Sequence, residues 1–286
     1  MKIGLDQFSF HRFHGDVFPW ESDPVTRWTL VDFLEYANQQ RVQLVGLHVH
    51  YLTTDEATHL GETLASRGMT AILEWGHPDG LQMGTNREAV GDLQRWLARA
   101  GKIGVPLVRI VAGYPSWRGR EPVATQIERL VPILRDLCHE AAALNITLAI
   151  ENHADFTPKE LLDLVKRVGS KHLRICFDTG NCVRVGADLV ESARAVAPFT
   201  AMVHLKDLRV LEASQGDPSA NWPSAPIGQG SFDLPAVLDA LSSGGFDGPL
   251  LIELAQLHPD FHDEQTVVEQ SLRWLRNHVA PETARK

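Results

Sequence analysis

The sequence predicts a single (β/α)8 TIM barrel, an α/β fold filling residues 1–286 as one domain. Three observations predict it. Short apolar runs of strand length alternate with amphipathic helical stretches along the whole chain, the pattern of parallel βαβ units. The 286 residues, 44% hydrophobic and 22% charged, have ordinary globular composition and suit one large domain. Four of the runs, TLAIE, LRICFD, AMVH and PLLIE, end on Glu151, Asp178, His204 and Glu253, at spacings of 27, 26 and 49 residues. A (β/α)8 barrel delivers every strand end to one open face, where such enzymes keep their chemistry. A doubly wound sheet would share the alternation but would not explain liganding residues at the ends of strands five to eight.

In order, the first strand is expected over Lys2–Phe8, followed by a polar loop (Ser9–Pro24) and a helix over Val25–Gln40. The second pair is Val42–His48 and a helix near Asp55–Arg67. The third is Thr70–Trp75, a Gly- and Pro-rich loop (His77–Thr85) and the helix Arg87–Ile103. Pro106–Ala112 and the long helix Pro122–Leu144 make the fourth. Thr147–Glu151 leads to a helix over Thr157–Val168, where Thr157 reads as an N-cap, with proline next and an acid in the first turn. The sixth pair is Leu173–Asp178 and Leu189–Ala197, and the seventh is Thr200–Leu205 with Leu234–Ser242, separated by the longest loop, Asp207–Ser231. Pro249–Leu254 and Asp263–Val279 close the chain.

The formal charge of −9 argues against nucleic acid as a partner. The N-terminal stretch MKIGLDQFSFHRFHGD lacks a secretory apolar core. Nothing approaches the ~18 consecutive apolar residues of a membrane span. A soluble cytoplasmic protein without membrane partners is expected. Cys138, Cys176 and Cys182 form no CxxC pair and read as small buried core residues in a reducing compartment.

Three carboxylates and one imidazole brought to one face make an oxygen-rich site suited to Mn²⁺, Mg²⁺, Co²⁺ or Zn²⁺. At these residues the sequence resembles the xylose-isomerase-like TIM-barrel superfamily, the group of sugar phosphate isomerases and epimerases. The pieces that carry the resemblance are IENH (150–153), FDTGN (177–181), VHLKD (203–207), IGQGSFDL (227–234) and LIEL (251–254). They cover the C-terminal half; the N-terminal half matches in its strand-helix rhythm. The resemblance implies one divalent ion, Mn²⁺ first, held by Glu151, Asp178, His204 and Glu253. It also offers a homodimer paired through barrel helices. The same superfamily holds apurinic endonucleases with three zinc ions, which need a histidine three residues after the strand-six aspartate and an Asp-x-His pair after strand seven. Here position 181 is Asn and the loop 217–230 has no histidine, so that reading is the least favoured. Ketose 3-epimerases also place a histidine at that position, and follow the metal histidine with Gly-Glu. Asn181 and Lys206-Asp207 depart from both, and His-Leu-Lys-Asp looks more like the keto-inositol dehydratases and the general epimerases.

The expected function is therefore isomerisation or epimerisation of a sugar or keto sugar, by proton abstraction next to a carbonyl through a metal-stabilised enediolate. Glu151 and Glu253 are the expected base and conjugate acid, with His153 as an extra acid/base and Lys206 as a holder of a substrate oxygen. The alternative is a lyase of the same superfamily, a keto-cyclitol dehydratase or 3-keto-glycoside eliminase, in which His153 expels the leaving group. The bland readings are a loop histidine for His153 and a salt bridge for Lys206. His48, Glu74, His77 and Trp117 are candidate substrate contacts. His48 and His50 share a strand face, and Glu74 could instead orient His48 or form a buried pair with Arg109. Trp20, Trp75 and Trp222 also fall near strand ends or loops, where flat rings suit sugar faces. Gly228-x-Gly230 reads as a turn, and the loops Asp207–Ser231 and Tyr114–Glu121 as candidate lids.

Overall fold

The computed structural model describes residues 1–19, 21–76, 78–211 and 222–279; the candidates His77 and Trp20 lie outside them. Eight parallel strands close a barrel: β1 (Lys2–Asp6), β2 (Leu44–His48), β3 (Thr70–Glu74), β4 (Leu107–Ile110), β5 (Thr147–Glu151), β6 (Leu173–Asp178), β7 (Thr200–Leu205) and, after a small ribbon, β10 (Pro249–Ile252). Closure comes from β1 pairing with β10 on one side and β2 on the other. The ribbon is antiparallel, β8 (Asp207–Leu208) on β9 (Ser224–Ala225), and stands inside the loop expected to be longest. The helices are α1 (Leu30–Gln39), α2 (Thr54–Ala65), α3 (Arg87–Ile103), α4 (Val123–Ala143), α5 (Pro158–Val168), α6 (Thr179–Arg184), α7 (Leu189–Val196), α8 (Leu234–Ser243) and α9 (Glu264–His278).

The differences from expectation have local causes. The first strand stops at Asp6 because its carboxylate caps the following turn, accepting from the Phe8 N–H at 2.7 Å. Residues 7–14 then wind as a 3₁₀ segment inside what was expected to be a polar loop. Helix α1 starts at Leu30, not Val25, because Thr29 and Asp32 form a reciprocal capping box. The same device opens α5 at Thr157 and Glu160. Helix α6 was not expected; Asp178 is its N-cap, accepting from Asn181 N–H at 2.8 Å.

Strand alternation sorts the side chains into two cores. Leu44, Ile72, Ala149, Cys176, Met202 and Leu251 pack together inside the barrel. Leu47, Leu73, Ile110, Ile150, Phe177, Leu205 and Ile252 belong to the larger core shared with the helices. Two residues beyond the inner set come His48 (with Gly46 between), Glu74, Glu151, Asp178, His204 and Glu253. A period of two thus places a polar ring directly above an apolar plug. The three cysteines are free and buried. Among the described residues, no helix is long and apolar enough to cross a membrane.

Candidate active site

The four residues singled out by their strand ends come together at the C-terminal mouth. Glu151 and Asp178 are the last residues of β5 and β6, His204 is next to last in β7, and Glu253 follows β10. All are buried. His204 is central: its Nδ1 is 2.6 Å from Glu253 Oε2 and 3.6 Å from Glu151 Oε2. Its Nε2 is 3.2 Å from Glu74 Oε1, so Glu74 holds the ring in place. Register explains the meeting, because Asp178 pairs with His204 across β6–β7, and Glu74 pairs with both His48 and Arg109 on its two sides.

Two cations of the chain lie within the ring. Arg109 Nε is 2.6 Å from Glu74 Oε2 and 3.2 Å from Glu151 Oε2. Lys206 Nζ is 2.7 Å from Asp178 Oδ2 and 3.0 Å from Glu253 Oε1. Lys206 therefore makes the salt bridges that were the bland alternative, and Glu74 makes the buried pair with Arg109. Both Glu74 oxygens are engaged by protein, so its place is beneath the mouth, holding His204 and Arg109, instead of reaching toward a ligand. Asn181 completes the set, its amide donating to Glu151 Oε1 and Asp178 Oδ2 at 3.0 Å each.

These contacts set the charge states. Burial alone would raise Glu151, Glu253 and Glu74, but the cations outweigh it. Arg109 holds Glu151 well below the carboxylate range, and His204 with Lys206 holds Glu253 low. His204 with Arg109 does the same for Glu74. Burial opposes an imidazolium at His204, yet Cys176, Glu253, Glu74 and Glu151 crowd it and raise its pKa. Asp6, the last residue of β1, goes the other way: burial and the neighbouring Glu74 and Glu253 charges push it up.

The quoted motifs now have individual roles. Asn152, from IENH, clamps the backbone of Asp178, donating to its carbonyl at 2.9 Å and accepting its N–H at 2.8 Å. Thr179, from FDTGN, does the same for Lys206 with two 2.8 Å bonds. Asp207 gathers the glycine turn, its Oδ2 accepting from Gly228 and Gly230 N–H at 2.9 Å each. A Cβ on Gly230 would stand 1.9 Å from Asp207 Oδ1, so only glycine fits there.

His153 lies at the mouth beside β5, edge-on to Tyr114 at 4.5 Å, with Nδ1 buried and unpartnered. Burial lowers its pKa to about 4, leaving a neutral ring. His48 ends β2 with Nε2 at 2.9 Å from Asp6 Oδ1, and His50 packs edge-on against it. Trp117 is half-buried in a turn, under the Arg120 guanidinium at 4.7 Å. Trp75 faces outward, donating to Asp92 of α3 at 2.8 Å, and is core instead of pocket. Trp222 Nε1 is buried and has no hydrogen-bond partner among the described residues. Asp6, Asn181 and Arg109 are the site residues that sequence reasoning did not assign to it. Asp6 was detectable by the rule that found the others, since it too ends an apolar run, KIGLD.

The donor set fits a divalent ion. Glu151 Oε2, His204 Nδ1 and Glu253 Oε2 are buried with no hydrogen bond, although close to one another. Asp178, His204 and Glu253 each offer an atom within 4.8 Å of the others. Unpaired buried polar atoms are costly unless something else satisfies them.

Three comparisons bear on kinship. The chain aligns over 188 residues at 31% identity with the 2-epi-5-epi-valiolone 7-phosphate 2-epimerase of Actinoplanes sp., covering 64% of this chain and 62% of that protein. The chain spans about half the length of the curated relatives it matches. An L-ribulose 3-epimerase structure superposes with a TM-score of 0.74 at 18% identity, covering 100% of this chain and 96% of the other. The zinc-bound IOLI protein gives 0.74 at 16%, covering 98% of each. The profile of the xylose isomerase-like TIM barrel matches residues 2–278, and with a closed eight-strand barrel carrying its polar ring at the C-terminal mouth, the chain belongs to that family.

Proposed function

We propose that the protein is a divalent-metal-dependent isomerase or epimerase of a keto sugar, working by proton transfer at the carbon next to the carbonyl. The observation that carries this reading is the convergence of Glu151 Oε2, His204 Nδ1 and Glu253 Oε2, buried and without hydrogen bonds, at the mouth of the barrel. Glu151, Asp178, His204 and Glu253 would hold the ion, Mn²⁺ first among candidates. When bound it would supply Lewis acidity to the substrate carbonyl and lower the acidity barrier at the adjacent carbon. The epimerase kinship of the Actinoplanes relative and the zinc of the IOLI structure support the reading.

The chain's own groups account for the remainder. Arg109 and Lys206 keep Glu151 and Glu253 ionised, so either carboxylate is ready to accept a proton. The two flank His204 Nδ1; one ionised carboxylate would take the substrate proton, and the other, after taking up a proton from solvent, would deliver it to the opposite face, each transfer worth roughly 10²–10⁴-fold. Glu74 holds His204 in place, Asn181 fixes Glu151 Oε1, and Arg109 stands beside Glu151 Oε2. The test is α-proton exchange with D₂O on keto sugars in the presence of Mn²⁺. Glu151→Gln and Glu253→Gln are each expected to abolish exchange in a folded barrel. Exchange persisting in both variants would remove the two-carboxylate mechanism.

His153 favours a second reading, a lyase. Its ring is neutral with Nδ1 unpartnered at the mouth, so it would first accept the proton taken from carbon and then pass it to a departing oxygen. That reaction would release water or an aglycone in stoichiometric amount and would depend on His153; a product of unchanged mass counts against it.

A further inference from the structure

We propose that Arg184 binds a negatively charged substituent of the substrate, a carboxylate or a phosphate monoester, so that the protein selects acidic keto sugars over neutral ones. The inference rests on the reading of the polar ring as the place where a keto sugar binds.

Three cations border that ring, and they are not equivalent. Arg109 is divided between Glu74 and Glu151, and Lys206 between Asp178 and Glu253. Arg184 faces a neutral amide: its Nη1 donates to Asn181 Oδ1 at 3.2 Å. No carboxylate among the described residues stands within ion-pair distance of it. The other end of the same Asn181 amide holds Glu151 Oε1 and Asp178 Oδ2. One side-chain amide therefore separates this guanidinium from two of the ring carboxylates, a separation that a small sugar bridges.

Its position on α6 aims it correctly. Asp178 starts the helix, Asn181 follows three residues later and Arg184 three after that, so both side chains rise on the face that borders the mouth. A guanidinium carries five N–H donors in a planar fork suited to carboxylate or phosphate oxygens. Among the described residues, one of the five is used here. Arg184 and Lys206 are near enough to repel, and an anion set beside them would relieve that repulsion. Arg184 is half-buried, so its field is less screened than that of a fully exposed side chain.

Calorimetric titration of the full chain supplied with Mn²⁺ tests this, with D-fructose, D-fructose 6-phosphate, 2-keto-D-gluconate and inorganic phosphate as probes. At least one acidic sugar is expected to bind about tenfold or more tightly than D-fructose, and which one does so separates phosphate from carboxylate. Arg184→Gln should erase that preference while metal content stays at the parent level; Arg184→Lys should restore part of it. Equal affinity for all three sugars overturns the proposal. So does a preference that survives in Arg184→Gln, which would make this arginine merely a helix-end charge. Phosphate binding that depends on Arg184, with no α-proton exchange on any keto sugar, would keep the anion subsite and remove the isomerase reading. Exchange on keto sugars without any preference for acidic ones would do the reverse.

Discussion

Replacing Lys206 with methionine should destabilise the metal-free protein and at the same time tighten its binding of a divalent ion. The ammonium bridges Asp178 and Glu253 at 2.7 and 3.0 Å, with Lys206 only 4% exposed. Methionine keeps most of the volume and removes the charge, leaving two buried carboxylates without their shared partner. Breaking such a pair costs about 3–5 kcal/mol. With an unfolding entropy near ~2.1 cal/mol/K per residue, that is a loss of about 5–8 °C in Tm for a chain this long. The ion asks for the same two carboxylates, and in the parent it must first displace the ammonium. Without that competitor, Mn²⁺ affinity should rise about tenfold or more, the weight of one charge-assisted hydrogen bond. Thermal melts in chelator and calorimetric titration with Mn²⁺ measure the two effects separately. An unchanged Tm in chelator, or weaker Mn²⁺ binding, would refute the argument that Lys206 and the ion share Asp178 and Glu253.

Gly46→Ala should be disruptive although it adds one methyl group, because that carbon would stand 2.6 Å from both Asp6 Oδ2 and Glu74 Oε1. A loss of about 1–3 kcal/mol in urea unfolding is expected, with reduced metal affinity as Glu74 leaves His204; parent-like values in both would show that the pair moves aside freely. The His48 pKa is pushed down to about 4, first by burial and then by Arg109. The unfolded chain therefore takes up this proton before the folded one, so the stability of the neutral ring is complete above about pH 6.5 and is lost as pH falls toward 4. The stability difference between parent and His48→Gln should narrow by up to about 1.4 kcal/mol per pH unit in that window, and a difference that is flat with pH would contradict it. Asp207→Asn replaces a carboxylate that accepts from Gly228, Gly230 and Phe232 N–H, and should cost about 1–3 kcal/mol; neutral behaviour in denaturant would show that the turn holds itself.

The barrel was legible because its strands obey simple rules. Thr147–Glu151, Leu173–Asp178, Thr200–Leu205 and the helix Arg87–Ile103 appear with the boundaries read from hydrophobic pattern alone. The convergence of Glu151, Asp178, His204 and Glu253 follows from one geometric fact about parallel barrels. What pattern reading could not supply is pairing. Whether Glu74 meets His48, Arg109 or a sugar depends on strand register, and register is not written in any single strand. Asn181 was noticed for the histidine it is not, and its hydrogen bonds to Glu151 and Asp178 exist only once α6 has formed. Helix α6 itself is six residues, with Gly180 and Asn181 in its first half, too short to show a helical period. Gly46 looks like an ordinary weak point in a strand until the two carboxyl groups on either side of it are in view.

The clasp around Asp207 gives the long loop a property of its own. Strands β8 and β9 bring residues 208 and 224 face to face, and the Asp207 carboxylate ties the returning chain to the residue that follows Lys206. Whatever sequence joins the two strands departs from and returns to one point on the rim. A closed bight of this kind can be lengthened, shortened or exchanged at small entropic cost, since closure depends only logarithmically on length. Variation there would leave His204 and Lys206 in their places. New sequences can therefore be tried by grafting between positions 208 and 224, with the clasp and the polar ring left untouched.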